Sequence, residues 1–215
     1  MSRLLKKEFL LSMHPITPLM LALSLMVLIP NYPYAVMFFY MTLAIFFTCM
    51  MGRENHDVVY TMTLPVAKKE IVKARICFVV ILELLQMLLL VPFSLLRQHL
   101  NAMGNEAGMD ANIVLFAEGF LLFGIFNLMF FYSYYKNVDK VGISFVKATI
   151  VFFVLVTIDA VGTHVIPFMR DYLDTPDPKY LGYKLVALGI GIVLYVVMTI
   201  GVCRISIKNF EQQDL

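Results

Sequence analysis

Polar and apolar positions along this chain are segregated into blocks rather than interleaved. From Phe9 to Gly52 there are 44 residues without one Asp, Glu, Lys or Arg. A helix needs about 20 residues to cross roughly 30 Å of hydrocarbon, so this run predicts two membrane spans. Pro30-Asn31-Tyr32-Pro33 marks the turn between them, since two fixed φ angles flank an Asn that tolerates turn geometry. Four further blocks follow, interrupted by single acids: Glu83 in the third span, Glu118 in the fourth and Asp159 in the fifth. The expected spans are about 15–30, 34–52, 76–96, 112–135, 145–166 and 184–203. Continuous apolar runs of this length exclude barrel strands, which would alternate, and lipid offers the backbone no partners outside a helix or closed barrel. The fold class is therefore all-α: a polytopic membrane protein with six transmembrane helices.

Composition agrees. The 215 residues are 60% apolar and 15% charged, against roughly 25% charged in soluble domains. Counting Lys and Arg in the connections gives 13 on the side of the N-terminus and four on the other. The positive-inside rule then places both termini in the cytoplasm, with residues 53–75 beside them. The net charge of +2 follows from this topology and does not imply nucleic acid; the spans themselves make membrane lipids the expected surroundings. Arg3, Lys6 and Lys7 precede the first apolar run as they would in a signal peptide, but no small-residue cleavage site ends that run. Residues 2–13 read as an amphipathic surface helix, with Leu4, Leu5, Phe9 and Met13 toward lipid and the basic side chains toward headgroups. Cys49, Cys77 and Cys203 lie in or beside spans and behave as small apolar residues.

The segment Arg53–Arg75 stands apart. It holds eight of the chain's 32 charged side chains and is far longer than a turn requires. Asn55 and Asp57 suit a helix start, and a short helix is expected over about His56–Thr63. Pro65 disfavours helical geometry at Leu64, and the next helix restarts after it. Lys68, Lys69, Lys73 and Arg75 then form a basic ramp whose stems snorkel at the interface. Positive-inside bookkeeping accounts for that ramp. It does not account for the preceding apolar side chains, Val58, Val59, Tyr60, Met62 and Leu64, which call for headgroups or a protein partner.

An enzymatic constellation is not legible. There is no Walker A pattern, no H-E-x-x-H and no G-x-S-x-G. His14, His56, His99 and His164 are scattered without metal-ligand spacing, so no metal site is expected. Charge inside a membrane is costly and defaults to a functional candidate. Glu83, with Gln86 three residues on and on the same face, could line a path. Glu118 and Asp159 could face a polar cavity, pair with Arg97 or Arg170, or carry protons.

At Leu64-Pro65-Val66-Ala67-Lys68-Lys69-Glu70-Ile71-Val72-Lys73-Ala74-Arg75 the chain resembles the permease subunits of ABC-2 type ABC transporters, the six-span exporter halves. Members of that family often carry a Leu-Pro-x-Ser/Thr-Arg/Lys pattern between spans two and three. Here Ala67 replaces the usual hydroxyl residue and Lys68 the frequent Arg. The resemblance implies an ABC-2 exporter-like transmembrane domain that dimerises with a second permease subunit. It implies a separate ATPase subunit that binds ATP and Mg, so that this chain itself carries no cofactor and no catalytic residue. The coupling region 53–75 would then dock on that ATPase through Asn55, His56, Asp57, Val58, Val59, Tyr60, Thr61, Met62, Leu64, Pro65, Lys68 and Lys69. Compact members resemble exporters of amphipathic or antimicrobial peptides, including the phenol-soluble modulin exporters of the bacterial cell membrane. Two rival readings remain: the substrate-binding membrane subunit of a vitamin uptake system, and a proton-coupled transporter or membrane enzyme using Glu83, Glu118 and Asp159.

Overall fold

The structure, a computed structural model, describes residues 2–100 and 105–213. Part of the connection between Arg97 and Asp110 thus lies outside the described residues. Helix α1 (Ser2–Lys7) continues as a π-helical turn over Glu8–Ser12. Helix α2 (Thr17–Ala22) tightens into a 3₁₀ segment over Leu23–Leu28. Then come α3 (Val36–Glu54), α4 (Asp57–Met62), α5 (Lys68–Leu100), α6 (Ile113–Tyr134), α7 (Val141–Val165) and α8 (Leu181–Glu211).

Five of these helices, α3 and α5 to α8, are long and apolar enough to cross a membrane. A sixth crossing exists if the first two segments, bent by 88° between Arg3–Ser12 and Thr17–Leu28, count as one. The protein is a multi-pass membrane protein with five to six spans. The first is the exception to the regular pattern. Thr17–Leu28 rises only about 20 Å, because His14-Pro15 and Ile29-Pro30 bound it and Pro residues do not continue a helix from either side.

The elements gather into two ends. At one end lie α1, the close of α3, α4, the start of α5, and the closes of α6 and α8. The close of α8 is tied in by Lys68 Nζ donating to Gln213 O at 2.5 Å and Gln213 Nε2 donating to Tyr135 O at 2.6 Å. At the opposite end lie residues 29–35, the close of α5, the start of α6 and the connection between α7 and α8.

Between the ends, α6 is the central helix, packed against α7 and α8 and touching α3 and α5. Its buried side includes Leu122, Phe123, Phe126, Phe130 and Phe131. Phe38 of α3 meets Phe123 edge-on with centroids 5.4 Å apart, and Phe126 stacks on Phe130 at 5.4 Å. Gly191 of α8 packs directly against the backbone of α6 at Ala117. A Cβ there would lie 2.7 Å from Ala117 O and 3.0 Å from its Cα, the small-residue contact that lets membrane helices approach closely.

α7 and α8 each bury one stripe. On α7 it runs through Val141, Ser144, Ala148, Phe152 and Val156. On α8 it is Lys184, Gly191, Tyr195, Val202, Ser206 and Phe210. Their remaining faces expose Ile150, Val154, Ile158, Val186, Val193 and Val197, each more than half accessible. Lipid or another chain can cover such faces without cost.

Candidate functional site

The α4 end carries the most concentrated chemistry. A single His56 in the left-handed region (φ 49°) turns the chain from α3 into α4. Asp57 follows as the first residue of α4. The expected capping role fails there: no side chain caps α4, and the Asp57 carboxylate is drawn instead to cations. Its Oδ1 lies 2.6 Å from Lys7 Nζ and its Oδ2 2.8 Å from Arg75 Nη2. Ser12 Oγ also donates to Oδ2 at 3.3 Å. Arg75 completes the knot, with Nε 2.6 Å from Glu8 Oε2. Thr61 Oγ accepts from Lys7 Nζ at 3.0 Å and donates to Asp57 O at 2.6 Å.

Two acids and two cations from three separate elements thus balance one another. Glu8 is 1% exposed and Arg75 4%. At that depth Coulomb attraction and the planar fork of Arg offset a desolvation cost of several kcal/mol per ion, and only while every partner stays in place. The knot joins α1, α4 and α5 into one mechanical unit.

Three sequence expectations are corrected here. Arg75 does not snorkel, because Glu8 and Asp57 hold it inside. The N-terminal segment turns differently: Glu8 and Ser12 face inward, Phe9 packs edge-on against Phe78 at 4.9 Å, and Leu10 and Leu11 are the exposed side chains. The apolar side chains of α4 also divide. Val58 is buried and Met62 packs against the core. Val58 sits with Gly52, His56 and Val59 against Tyr134, Val138 and Asp139, where Arg53 Nη1 donates to Asp139 O at 3.4 Å. Val59, Tyr60 and Leu64 remain outward, Tyr60 being 67% exposed. Asn55, His56, Pro65 and Lys69 are exposed beside them. Thr61 is buried in the knot, and Lys68 reaches Gln213 at the close of α8. The outward side chains lie together in sequence on and beside α4 and are exposed.

Within the membrane-spanning region, Glu83 and Gln86 are buried at 1% and 0% exposure. Glu83 accepts from Asn127 Nδ2 of α6 at 2.9 and 3.1 Å and from Tyr195 OH of α8 at 2.6 Å. Gln86 Nε2 donates to Met37 O of α3 at 3.1 Å. In place of lining an open face, these two side chains fasten four helices together, since an unpaired carboxylate or amide in hydrocarbon is costly. Glu118 of α6 faces Asp159 of α7. Arg97 is instead oriented by Tyr34, whose OH accepts from its Nε at 2.9 Å, and Arg170 by its neighbour Asp171 at 2.9 Å.

The opposite end is pinned as well. Asn112 caps α6, accepting from Val114 N at 2.8 Å while donating to Leu173 O and Thr175 O. Fully buried Lys184 lies 2.8 Å from Asp177 Oδ1. Asp110 N donates to Asp174 Oδ1 at 2.7 Å. Burial pushes the Asp174 carboxyl up to about 6 and raises that of Asp110. Among the described residues, no group of His, Cys, Asp and Glu is placed to hold a metal ion.

The residues that sequence reasoning missed carried a signal. Glu8 is the last charge before the 44-residue uncharged run, and Arg75 the last before the third span. Both therefore sit at one depth, where opposite charges meet. Asn127 and Tyr195 are likewise polar side chains within otherwise apolar helices.

Comparison with known proteins supplies the family. No curated protein and no solved structure matches the chain. The family described as ABC-2 family transporter protein matches residues 3–211, which takes in every helix described above. The chain belongs to the ABC-2 transporter family and is its membrane-spanning permease component.

Proposed function

We propose that this chain is half of the membrane domain of an ATP-driven exporter and that α4 is the helix through which a separate ATPase subunit drives it. The observation that carries this reading is the division of α4. One face, Val59 and Tyr60 with Leu64 just beyond, is apolar and exposed. The other is bound to α1 and α5 by the Asp57 ion pairs. A helix built this way suits a push received on one side and passed on from the other. Arg75 hands the movement to α5 and Glu8 to the N-terminal segment, while Lys68 links the start of α5 to the close of α8. With the positive-inside orientation, this end and both termini are cytoplasmic, in a bacterial cell membrane.

ATP and Mg are bound and hydrolysed in the partner ATPase, and this chain supplies the moving helices. A second permease subunit, identical or related, completes the translocation path against the exposed faces of α7 and α8. Those faces are apolar throughout their middle turns, which suits amphipathic peptides or other hydrophobic compounds as cargo. The test is to purify the chain with the ATPase encoded beside it and reconstitute the pair. Export predicts hydrolysis stimulated by amphipathic peptides and ATP-dependent loss of labelled peptide from the ATPase side. Tight one-to-one binding of a vitamin, without peptide stimulation, would overturn export in favour of uptake.

A further inference from the structure

Glu83 stands deep in α5, about 12 Å along the axis from Arg75 and about 21 Å from Arg97. It is 1% exposed, and its neighbours Gln86, Asn127 and Tyr195 are 0%, 2% and 4% exposed. Its carboxyl group accepts three hydrogen bonds, all from neutral groups. The cations of the packed elements are engaged elsewhere or distant. Arg75 is held by Glu8 and Asp57, Arg97 by Tyr34, and Lys184 of α8 by Asp177. The charges of the N-terminal segment lie at the α4 end, and Thr17–Leu28 carries none. α3 carries Arg53 and Glu54 only at its close. On α6 Glu118 lies about 14 Å before Asn127, and on α8 Arg204 lies about 14 Å beyond Tyr195.

The cluster is short of hydrogens. Gln86 Oε1, Asn127 Oδ1 and Thr199 Oγ1 are closed off from the surface, and no partner among the described residues reaches them. Such oxygens are rarely left unpaired in a folded protein. Thr199 follows Tyr195 by one turn, on the same face of α8. The Tyr195 hydroxyl therefore has two acceptors to choose between, Glu83 Oε2 at 2.6 Å and Thr199 Oγ1. A carboxylate without a counter-charge is costly in hydrocarbon, and the unpaired amide oxygens of Gln86 and Asn127 make its surroundings more negative. A hard metal cation would sit across both carboxylate oxygens. Asn127 Nδ2, a donor, covers that face at 2.9 and 3.1 Å. A proton needs no such face.

We propose that Glu83, Tyr195 and Thr199 form a proton-binding site that ties α5 to α8 in the membrane interior. Its ligand is one proton, taken from hydronium, which leaves as water. The new O–H bond forms at Glu83 Oε2, which then donates to the Tyr195 oxygen. Tyr195 keeps its own proton and turns it to Thr199 Oγ1, so that this orphaned oxygen gains a donor. Asn127 Nδ2 stays on the carboxyl group in both states. With the proton bound, the site is neutral and suits a closed α5–α8 contact. Parting the two helices admits water, restores the carboxylate and releases the proton. The site does not depend on α4 being the driven helix, on the cargo or on the direction of transport.

The experiment uses the full-length protein in lipid nanodiscs. Infrared difference spectra across a pH step read protonated carboxyl groups, whose bands move in heavy water. The site predicts a carboxylic-acid band that is lost in Glu83→Gln and displaced in both Tyr195→Phe and Thr199→Val. The first variant removes the oxygen that takes the proton, the second its acceptor, and the third the oxygen to which Tyr195 turns. If Glu83→Gln loses no carboxylic-acid band, the proposal is overturned. A Glu83 band that neither of the other variants moves overturns the shared site and leaves an isolated acid. Should Glu83→Gln fail to fold, Thr199→Val decides, since it keeps the shape of a partly exposed side chain. Acid bands all at their unmodified positions in that variant overturn the proposal.

Discussion

Arg75 Nε lies 2.6 Å from Glu8 Oε2 although 67 positions separate the two residues, and both side chains are almost wholly shielded from solvent. This pair fixes where the N-terminal segment crosses the start of α5. Asp57, 2.8 Å from the same guanidinium, brings α4 to the same point. The force transfer proposed from α4 to α5 passes through this contact.

Removing Glu8 should therefore cost more than removing an exposed acid. Glu8→Ala leaves Arg75 buried with Asp57 as its remaining carboxylate, and losing one partner of a buried pair costs about 3–5 kcal/mol. Glu54→Ala is the control. Glu54 is exposed and 3.9 Å from Arg53, and its loss should change the melting temperature little. Thermal unfolding in detergent, followed by near-ultraviolet signal, separates the two. Equal melting temperatures would remove the knot's structural role.

Tyr195→Phe deletes the 2.6 Å donor to Glu83 while keeping the ring. Leaving a buried acceptor short of its partner costs about 1–3 kcal/mol, and the loss should appear as a lowered unfolding midpoint. Tyr183→Phe, at a half-exposed position, should leave the midpoint unchanged. Double-mutant analysis with Asn127→Ala should show coupling, because both donors serve one carboxylate.

Gly191→Ala places a Cβ within 2.7 Å of Ala117 O, and backbone on both sides leaves no flexible chain end to give way. Overpacking of this kind costs about 1–3 kcal/mol. Gly189→Ala meets nothing within 4 Å and should be neutral or slightly stabilising, as Ala favours a helix. A comparison of the two melts isolates the α6–α8 contact from helix propensity.

The end opposite α4 should respond to pH through Asp174. Burial raises its carboxyl from 3.8 to about 6 in the folded chain, so between those values the folded state binds more protons than the unfolded one. Stability then falls as pH rises from about 4 to about 6 and stays lowered above that. Asp174→Asn keeps an acceptor for Asp110 N and removes the titration. It should raise stability at pH 7, by on the order of 1 kcal/mol after solvent screening, and leave it unchanged at pH 4. A benefit at pH 4 equal to that at pH 7 would count against the ionisation of Asp174 as the cause.

The fold was legible because its main signal is one-dimensional. Blocks of about 20 apolar residues decide that helices cross a membrane whatever their neighbours are, and α3 and α5 to α8 follow from that pattern. The first crossing was not legible as a short broken segment, since hydropathy counts residues and not rise per residue. Boundaries in the 53–75 region were readable from Pro65 and the polar cluster before it, and α4 begins within a residue of the expected start. Which way its side chains point was not readable. Six residues give too little periodicity to choose a face, and the choice was made by charges on α1 and α5. Glu83 illustrates the same limit: its presence marked a buried polar site, but its partners Asn127 and Tyr195 are 44 and 112 positions away.

The most direct test of α4 as the driven helix is co-purification of the ATPase with the double variant Tyr60→Asp, Leu64→Asp. Both side chains are exposed, so the permease should remain folded and monodisperse. The account predicts that this variant loses the ATPase while a Leu10→Asp control, exposed on the N-terminal segment, retains it. A folded Tyr60→Asp, Leu64→Asp permease that still holds the ATPase at the unmodified ratio would contradict the central claim.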